Sequence, residues 1–373
     1  MIKNLTIQKP SNARKWQTYM IHRHPAELKS MVKGRTAAEL GEDRLRDLIV
    51  SNLGKDLREI LGYGDDAVAF GLGKGMILVV HTDALVGSTD VPVGMPPFYI
   101  GWKAVTMNVS DIASKGAKPL SLLFSWSLPK DFPSKSAVRI AQGMNAAARL
   151  YGTYVTGGDT GEAKDLVLAG IALGTVREDS LMRRSGAEPG DILALTGKFG
   201  LTSMGYKVLL DGFDAPGVLR KAAIDAIYTP KARLKEGLAV AKTGGITACM
   251  DCSDGLARSI HYLSEMSHIG FLISKIPIAA EVFRFASMYR LDPIELALYE
   301  GGEEYELILC VKRNCWRRVY SAVRAVGGHL YRIGEAISER EVYLESDGGS
   351  IEKIEPFGWQ HFRKWTHPSP SAR

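Results

Sequence analysis

Acidic residues standing beside glycines carry the strongest chemical signal in this sequence. In GYGDDAVAF, residues 62–70, the adjacent carboxylates Asp65 and Asp66 follow a Gly-x-Gly and precede an apolar run. Neighbouring carboxylates repel unless something positive sits between them. The pair therefore reads either as a turn, which Gly and Asp favour, or as one edge of a cation site. Further acids recur in similar settings: Asp83 in HTDA, Asp159 in TGGDTG, Asp251 and Asp254 in DCSDGL, and Glu303 in GGEEYEL. Asp111, in NVSDIA, falls on a helical stretch.

Each acid alone has an ordinary reading. Asp159 could be a turn residue, Asp111 a solvated helix position, and Asp254 or Ser253 the cap of a helix starting at Gly255. The set points elsewhere. Hard divalent cations take oxygen ligands, and Mg²⁺ commonly uses one or two carboxylates, several waters and substrate phosphates. Acids from distant segments can thus build a multi-metal site that holds a polyphosphate. The pairs Gly157-Gly158 and Gly301-Gly302 let backbone N–H groups approach phosphate oxygens without a Cβ in the way. The SDGL helix start adds the positive end of a helix dipole. This is the chemistry of nucleotide phosphoryl transfer, in which positioning and charge neutralisation supply most of the rate.

Other nucleotide and hydrolase motifs are missing. No Gly-x4-Gly-Lys-Ser/Thr occurs, since TGKFG has Phe199 where the hydroxyl is required. No protein-kinase catalytic loop and no Gly-x-Ser-x-Gly elbow is present. The four cysteines are Cys249, Cys252, Cys310 and Cys315. Cys249-x-x-Cys252 could open a zinc site, but the second pair is spaced differently and no histidine follows at finger spacing. ITACMDC also reads as a strand, where residues three apart point to opposite faces. Buried cysteine in a reducing cytoplasm is the expectation.

These acids need elements to hold them. AAELGEDRLRDLIVSNLG has helical spacing, with Leu40, Leu45, Leu48, Ile49 and Leu53 recurring at short intervals. MILVVHTD reads as a strand with a loop at its end, and GWKAVTMNVSDIASKGA as a helix from about Ile100 to Lys115, ended by Gly116. A strand LSLLFSWSL, a helix over 134–151, a strand YVTGGDTG that breaks into glycines, and a strand LVLAGIALGTV follow. RRSGAEPGD is dense in turn formers and reads as a domain junction near 180–190. Beyond it come ILALTGK (strand), LTSMGYKVLL and PKARLKEGLAVAKT (helices), ITACMDCSD (strand) and GLARSIHYLSEMS (helix). EYELILCV and YRIGEAI read as strands, with the helix CWRRVYSAVRAVG between them. Strands and helices mix without the alternation of a doubly wound sheet. The expected fold is α+β in two domains, 36–182 and 183–365, with a basic extension at 1–35 and a tail at 366–373.

The net charge of +6 resides in that extension. Residues 1–35 carry eight Lys and Arg against the single acid Glu27, which leaves the rest of the chain at −1. A nucleic-acid role would rest on this segment alone and is not expected. The extension lacks the apolar core of a secretory signal, and Met31 is an alternative start. No apolar run approaches the ~20 residues a membrane helix needs. A cytoplasmic enzyme of ordinary globular composition is expected.

As a set, GYGDDAVAF, VVHTDALV, NVSDIASKGAKP, TGGDT, RRSGAEPGD, LTGKFG, DCSDGL, GGEEYEL and GWQHF occur in the order and spacing of the thiamine-monophosphate kinases. The resemblance runs from about residue 40 to 362 and extends to the wider superfamily of aminoimidazole-ribonucleotide and selenophosphate synthetases. It implies a homodimer formed through the N-terminal sheet with a barrel-like interface, and a cleft binding ATP and several Mg²⁺ ions. The implied reaction moves the γ-phosphoryl of ATP directly onto thiamine monophosphate, giving thiamine diphosphate, with no covalent nucleophile on the protein. By the same resemblance, Asp66, Asp83, Asp111, Asp159, Asp251 and Asp254 are metal ligands, with Thr82 supplying another oxygen. Gly158, Asp159, Arg184 and Ser253 contact the nucleotide; Glu303 and Trp359 contact the thiamine substrate.

The chain departs from the family pattern at three places. Val86-Gly-Ser-Thr-Asp90-Val91 replaces a run resembling VEGxHF, so Asp90 stands at a substrate-contacting histidine. His81 stands where a small Ser or Thr is usual, and GGEDYEL has become GGEEYEL. The competing expectations are a superfamily relative acting on a different small acceptor and a protein that holds nucleotide without turnover. A nearly complete acid set disfavours the latter, and the lack of any cysteine in the N-terminal domain disfavours selenium chemistry.

Overall fold

A computed structural model describes residues 35–54, 56–346 and 348–362. Residues 1–34 and 363–373, which hold nearly all of the basic extension and the tail, lie outside the described residues. The described chain falls into two units, one of residues 35–54 with 360–362 and one of residues 56–359.

The smaller unit contains helices Ala37–Leu40 and Glu42–Ser51. Thr36 opens the first through a reciprocal capping box with Glu39: the Thr36 N–H donates to Glu39 Oε2 at 2.6 Å while the Glu39 N–H donates to Thr36 Oγ1 at 3.4 Å. Gly41 divides the two helices with φ +75°. Gln360 and His361 return to the second helix, donating to Asp43 at 3.2 Å and Glu42 at 2.9 Å.

The larger unit is built on two sheets. The first uses β1 (Glu59–Leu61), β2 (Val68–Gly73), β3 (Met76–Val86), β4 (Lys118–Leu128), β5 (Val155–Glu162) and β6 (Val167–Arg177), in the order β1-β2-β3-β6-β4-β5. Only β4 and β5 run parallel. The sheet is open, with β1 and β5 at its edges.

Helix α1 (Pro97–Ser114) packs on this sheet, and α2 (Ser134–Leu150) packs on α1. Pro97 fits the first turn of α1, where its missing N–H costs nothing. Ile100, Ala104, Val105, Val109, Ile112 and Ala113 are all buried, so apolar residues surround most of the helix. The two helices meet backbone to backbone. A Cβ on Gly101 would lie 1.9 Å from the Ile140 carbonyl, and one on Gly143 would lie 1.8 Å from that of Phe98.

The second sheet uses β7 (Ile192–Leu195), β8 (Ile246–Asp251), β9 (Gly270–Ile273), β10 (Leu307–Val311), β11 (Tyr331–Ile337), β12 (Val342–Glu345) and β13 (Ile351–Lys353). Their order is β13-β12-β9-β11-β7-β10-β8, with only β9 and β12 parallel. Helices cover both faces of its centre, which explains strands that are apolar throughout. Leu193, Leu195, Met250, Ile308 and Cys310 enter one core with helix α3 (Leu256–Ser267), whereas Ile192, Ala194, Cys249, Leu307 and Leu309 enter another against helix Trp316–Ala325. Cys249 and Cys252 fall in different cores, as strand alternation requires.

The α+β class is observed, and the turn-rich segment near 180–190 separates the two sheets. Several boundaries differ from the sequence expectations. Strand β3 continues past Asp83 to Val86 because its backbone pairs with β6 along its whole length. Strand β5 does not break at its glycines: Gly157 to Gly161 pair with Leu123 to Ser127 of β4, which requires backbone groups and no side chain. The helix expected over PKARLKEGLAVAKT spans only Leu234–Ala241, after Pro230 and a non-helical Arg233. Helix Gly217–Tyr228 was not anticipated, nor were β9, β12 and β13.

Candidate active site

Helix periodicity creates the backbone of the site. Lys103, Ser110, Asp111, Ser114 and Lys115 follow one another at intervals that keep them on one stripe of α1 and its C-cap. Strand periodicity supplies the opposing wall: His81 and Asp83, two apart on β3, share a face. Asp65 and Asp66 arrive just before β2, and Asp251 ends β8.

Together these elements make an acidic cluster. Carboxylate oxygens of Asp66, Asp111 and Asp251 lie within 4.8 Å of one another, and the ligand atoms of His81, Asp83 and Asp111 form a second such group. Asp111 belongs to both. Asp66 and Asp251 are buried.

The paired carboxylates have protein cations on them. Lys115 Nζ bonds Asp65, lies 2.7 Å from Asp66 Oδ2, and donates to the Cys249 carbonyl at 3.2 Å. Arg184 donates to Asp66 through Nε at 3.0 Å and through Nη2, and to the Gly64 carbonyl through Nη1 at 2.9 Å. Its guanidinium carbon stands 5.4 Å from the Tyr262 ring centroid. Ser114 Oγ adds a 2.7 Å bond to Asp66. Asp65 holds backbone as well, accepting from the N–H groups of Asp66 at 2.9 Å and Arg184 at 3.0 Å.

The electrostatics differ across the cluster. Burial favours the protonated form of Asp66, but Arg184 and Lys115 overcome it and hold the carboxyl well below the usual carboxylate range. Asp111 moves the other way: burial, then the charges of Asp251, Asp66 and Asp83, push it well above that range. Burial, reinforced by Asp66, pushes Asp251 up to about 7, although Ser110 Oγ donates to it at 2.6 Å. Asp111 and Asp251 thus hold their protons more tightly than ordinary carboxyls, because the protein sets too little positive charge beside them.

A second cluster adjoins the first. Lys103, wholly buried, donates to the Asp90 carbonyl at 2.6 Å and pairs with Glu303 Oε1 at 2.7 Å. Tyr206 donates to the other Glu303 oxygen. Glu303 has φ +62° and donates its N–H to the Ser253 carbonyl at 2.7 Å, which ties the GGEEYEL loop to the DCSDGL loop. Burial raises the Glu303 pKa, with Lys103 opposing. Asp90 turns one carboxylate oxygen inward, accepting from the Val86 N–H at 2.7 Å.

The remaining expected residues surround these groups without joining them. Thr82 lies between His81 and Asp83 and faces the other side of β3, with Oγ1 donating to the Gly170 carbonyl at 2.8 Å. Asp159 is exposed on the edge strand β5, opposite Ser125. Gly158 has φ +151° and sits so close to β4 that a Cβ would lie 1.8 Å from the Phe124 carbonyl. Asp254 approaches Arg258 Nε at 3.6 Å, and its carbonyl accepts from the Trp359 N–H at 2.9 Å. Trp359 is 40% exposed. The suggested cap is not made: Gly255 occupies the N-cap of α3 and no side chain bonds there. Lys103, Lys115, Ser110 and Ser114 escaped sequence reasoning, although their spacing with Asp111 was the signal that could have found them.

Comparison with known proteins gives a consistent picture. Residues 64–176 match the family described as AIR synthase related protein, N-terminal domain, and residues 188–347 match its C-terminal domain. The thiamine-monophosphate kinase of Pyrococcus horikoshii is 34% identical over 303 residues, covering 80% of this chain and 91% of that protein. That of Synechococcus elongatus is 34% identical over 335 residues, covering 88% and 98%. Among solved structures, AaThiL complexed with AMPPCP and TMP has a TM-score of 0.77 at 28% identity, covering 88% of this chain and 99% of that one. Hydrogenase maturation protein HypE in complex with ATP, at 21% identity and a TM-score of 0.64, shares the fold.

Proposed function

The chain belongs to the thiamine-monophosphate kinase family, within the AIR synthase related proteins, and we propose that its acidic cluster is the place where ATP and thiamine monophosphate react. The reaction transfers the γ-phosphoryl of ATP to thiamine monophosphate, giving thiamine diphosphate. The observation that carries the site assignment is the convergence of Asp66, Asp111 and Asp251 within 4.8 Å, with Asp83 on the adjoining group.

The donor set fits divalent cations. It consists mainly of hard carboxylate oxygens, and Asp111 and Asp251 have too little positive charge beside them to ionise at the usual carboxylate pH, which a bound cation would supply. We infer that Asp66, Asp83, Asp111 and Asp251 hold Mg²⁺ directly, with Asp159, Asp254 and an oxygen of Thr82 completing the set around the nucleotide. Bound Mg²⁺ supplies charge neutralisation to the phosphates of both substrates.

The chain's own residues do the rest. Arg184, a planar donor already beside Asp66, suits a nucleotide phosphate. Gly158 leaves backbone accessible where any Cβ would collide, and Ser253 presents the loop that begins α3. Glu303, aimed by Lys103 and Tyr206, offers a negative charge to the cationic thiazolium, and Trp359 offers an aromatic face. The inward turn of Asp90 commits one of its oxygens to backbone, which lessens its repulsion of an acceptor phosphate.

The same reading places the nucleotide- and metal-binding domain at 36–182 and the second α+β domain at 183–365. It also includes a homodimer through the first sheet, closing a barrel-like interface. Leu120 on β4 and Ile171 on β6, 54% and 42% exposed, support an unfilled apolar face there.

The decisive assay incubates the protein with ATP, Mg²⁺ and thiamine monophosphate and separates the products by chromatography. Thiamine diphosphate should form and should vanish in Asp66→Asn, with the variant's fold checked by circular dichroism because Lys115 and Arg184 lose a buried counter-charge. Full activity in that variant overturns the role of Asp66. ATP binding without product would instead direct the search to other small phosphorylated acceptors.

A further inference from the structure

His81 brings a nitrogen into an otherwise oxygen-lined cluster. Its Nδ1 lies 2.6 Å from the main-chain oxygen of Asp66. A carbonyl oxygen can only accept, so Nδ1 carries the hydrogen, and in the neutral ring Nε2 presents a lone pair. That Nε2 is shielded from solvent and has no hydrogen-bond partner. It lies 3.1 Å from Asp111 Oδ2, and its side chain is only 12% exposed. The ligand atoms of His81, Asp83 and Asp111 fall within 4.8 Å of one another.

Held this close, His81 Nε2 and the Asp111 carboxylate repel when Asp111 is ionised, so a cation that displaces the Asp111 proton meets two ligand atoms already side by side. The ring is also oriented from behind: an Nδ1–H donated to a backbone carbonyl, with Nε2 turned into a carboxylate pair, is the arrangement that fixes a metal-ligating histidine. Mg²⁺ prefers oxygen, whereas imidazole nitrogen suits the divalent transition metals.

We propose that His81 Nε2, with Asp83 and Asp111, forms a mixed nitrogen–oxygen site for a divalent transition metal, distinct from the all-carboxylate group of Asp66, Asp111 and Asp251. Asp111 bridges the two. This inference rests on the reading of the cluster as the cation centre of the kinase, and adds that one of its positions, open to Mg²⁺, prefers a transition metal.

The test uses full-length protein stripped of metal, without nucleotide, with Mn²⁺ as probe. Free Mn²⁺ is followed by electron paramagnetic resonance, Mg²⁺ competes in a parallel titration, and pulsed resonance looks for ¹⁴N coupling to bound Mn²⁺. The wild type should bind Mn²⁺ at least about tenfold more tightly than Mg²⁺ and show the coupling of a directly bound imidazole. His81→Ser should abolish the coupling and weaken Mn²⁺ by about tenfold or more, while Mg²⁺ affinity changes by less than about threefold. Bound Mn²⁺ without nitrogen coupling in the wild type overturns the proposal, as does equal weakening of both metals in the variant. If His81→Ser does not fold, the wild-type spectrum decides alone. Thiamine diphosphate formation is assayed separately, so a chain that binds Mn²⁺ through nitrogen yet makes no product refutes the kinase reading and not the ligand assignment.

Discussion

Lys115 Nζ lies 2.7 Å from Asp66 Oδ2, and neither side chain is exposed to solvent. The ammonium also bonds Asp65, so the cation demanded by two adjacent carboxylates is, in the first instance, part of the chain. Removing one partner of such a pair leaves the other buried and uncompensated. Lys115→Met should lower the unfolding free energy by about 3–5 kcal/mol, measured by urea denaturation without metal. Added Mg²⁺ should recover part of that loss, because an ion that binds only the folded state stabilises it by mass action. No loss of stability in the variant would mean that the carboxylates do not need the lysine.

Lys103 does the corresponding work for Glu303. With Lys103→Met, the carboxylate loses its buried counter-charge and the loop at Asp90 loses its tether. The expected result is a KM for thiamine monophosphate raised about tenfold or more, with the KM for ATP changed far less, since removal of uniform binding shows in KM. Equal effects on both substrates would place Lys103 outside acceptor binding.

The raised carboxyls predict a pH dependence. Asp251 moves from 3.8 to about 7 in the folded, metal-free protein, and Asp111 shifts in the same direction. A group that holds its proton more tightly when folded makes the folded state lose stability as pH rises between its unfolded and folded values. The metal-free protein should therefore become less stable from about pH 4 to about pH 7 on account of these groups. Asp66, whose pKa is lowered, acts in the opposite sense and only below its ordinary value of 3.8. A cation replaces the protons, so the rise in Tm caused by Mg²⁺ should be larger at about pH 8 than at about pH 6. Equal shifts at the two pH values would show that these carboxyls do not bind the ion.

Gly158→Ala tests the edge of the first sheet. Its φ of +151° and the 1.8 Å approach to the Phe124 carbonyl leave no place for a methyl group. The parallel β4–β5 pairing must open locally, and a loss of about 2 kcal/mol or more is expected by thermal denaturation, together with weakened ATP binding. A variant of wild-type stability would show that β5 shifts freely.

Most of the acids were legible in the sequence because they stand beside glycine or at the end of an apolar run, where a charge has no ordinary packing role. Asp111, inside a helix, stood out only as one of the set. Strand alternation likewise placed Cys249 and Cys252 in separate cores. The buried lysines were not legible in the same way. A lysine is ordinarily a surface residue, and Lys103 and Lys115 declare themselves only when α1 is turned so that Asp111 faces inward. The glycines of β5 misled for a related reason: they weaken a strand in isolation, while a partner strand supplies every hydrogen bond the segment needs. Helix Gly217–Tyr228 did carry a readable pattern, Leu219, Ala223 and Ile227 at successive fourth positions, all buried.

The contact of Gly101 with Ile140 and of Gly143 with Phe98 leaves α1 no room to slide or rotate against α2. Lys103 and Lys115 are twelve residues apart on this pinned rod, about 18 Å at 1.5 Å per residue. The helix is thus a ruler with Glu303 marked by one ammonium and Asp66 by the other. A bulkier residue at Gly101 or Gly143 would displace both marks at once, so metal affinity and acceptor affinity should fall together in a single variant far from either ligand.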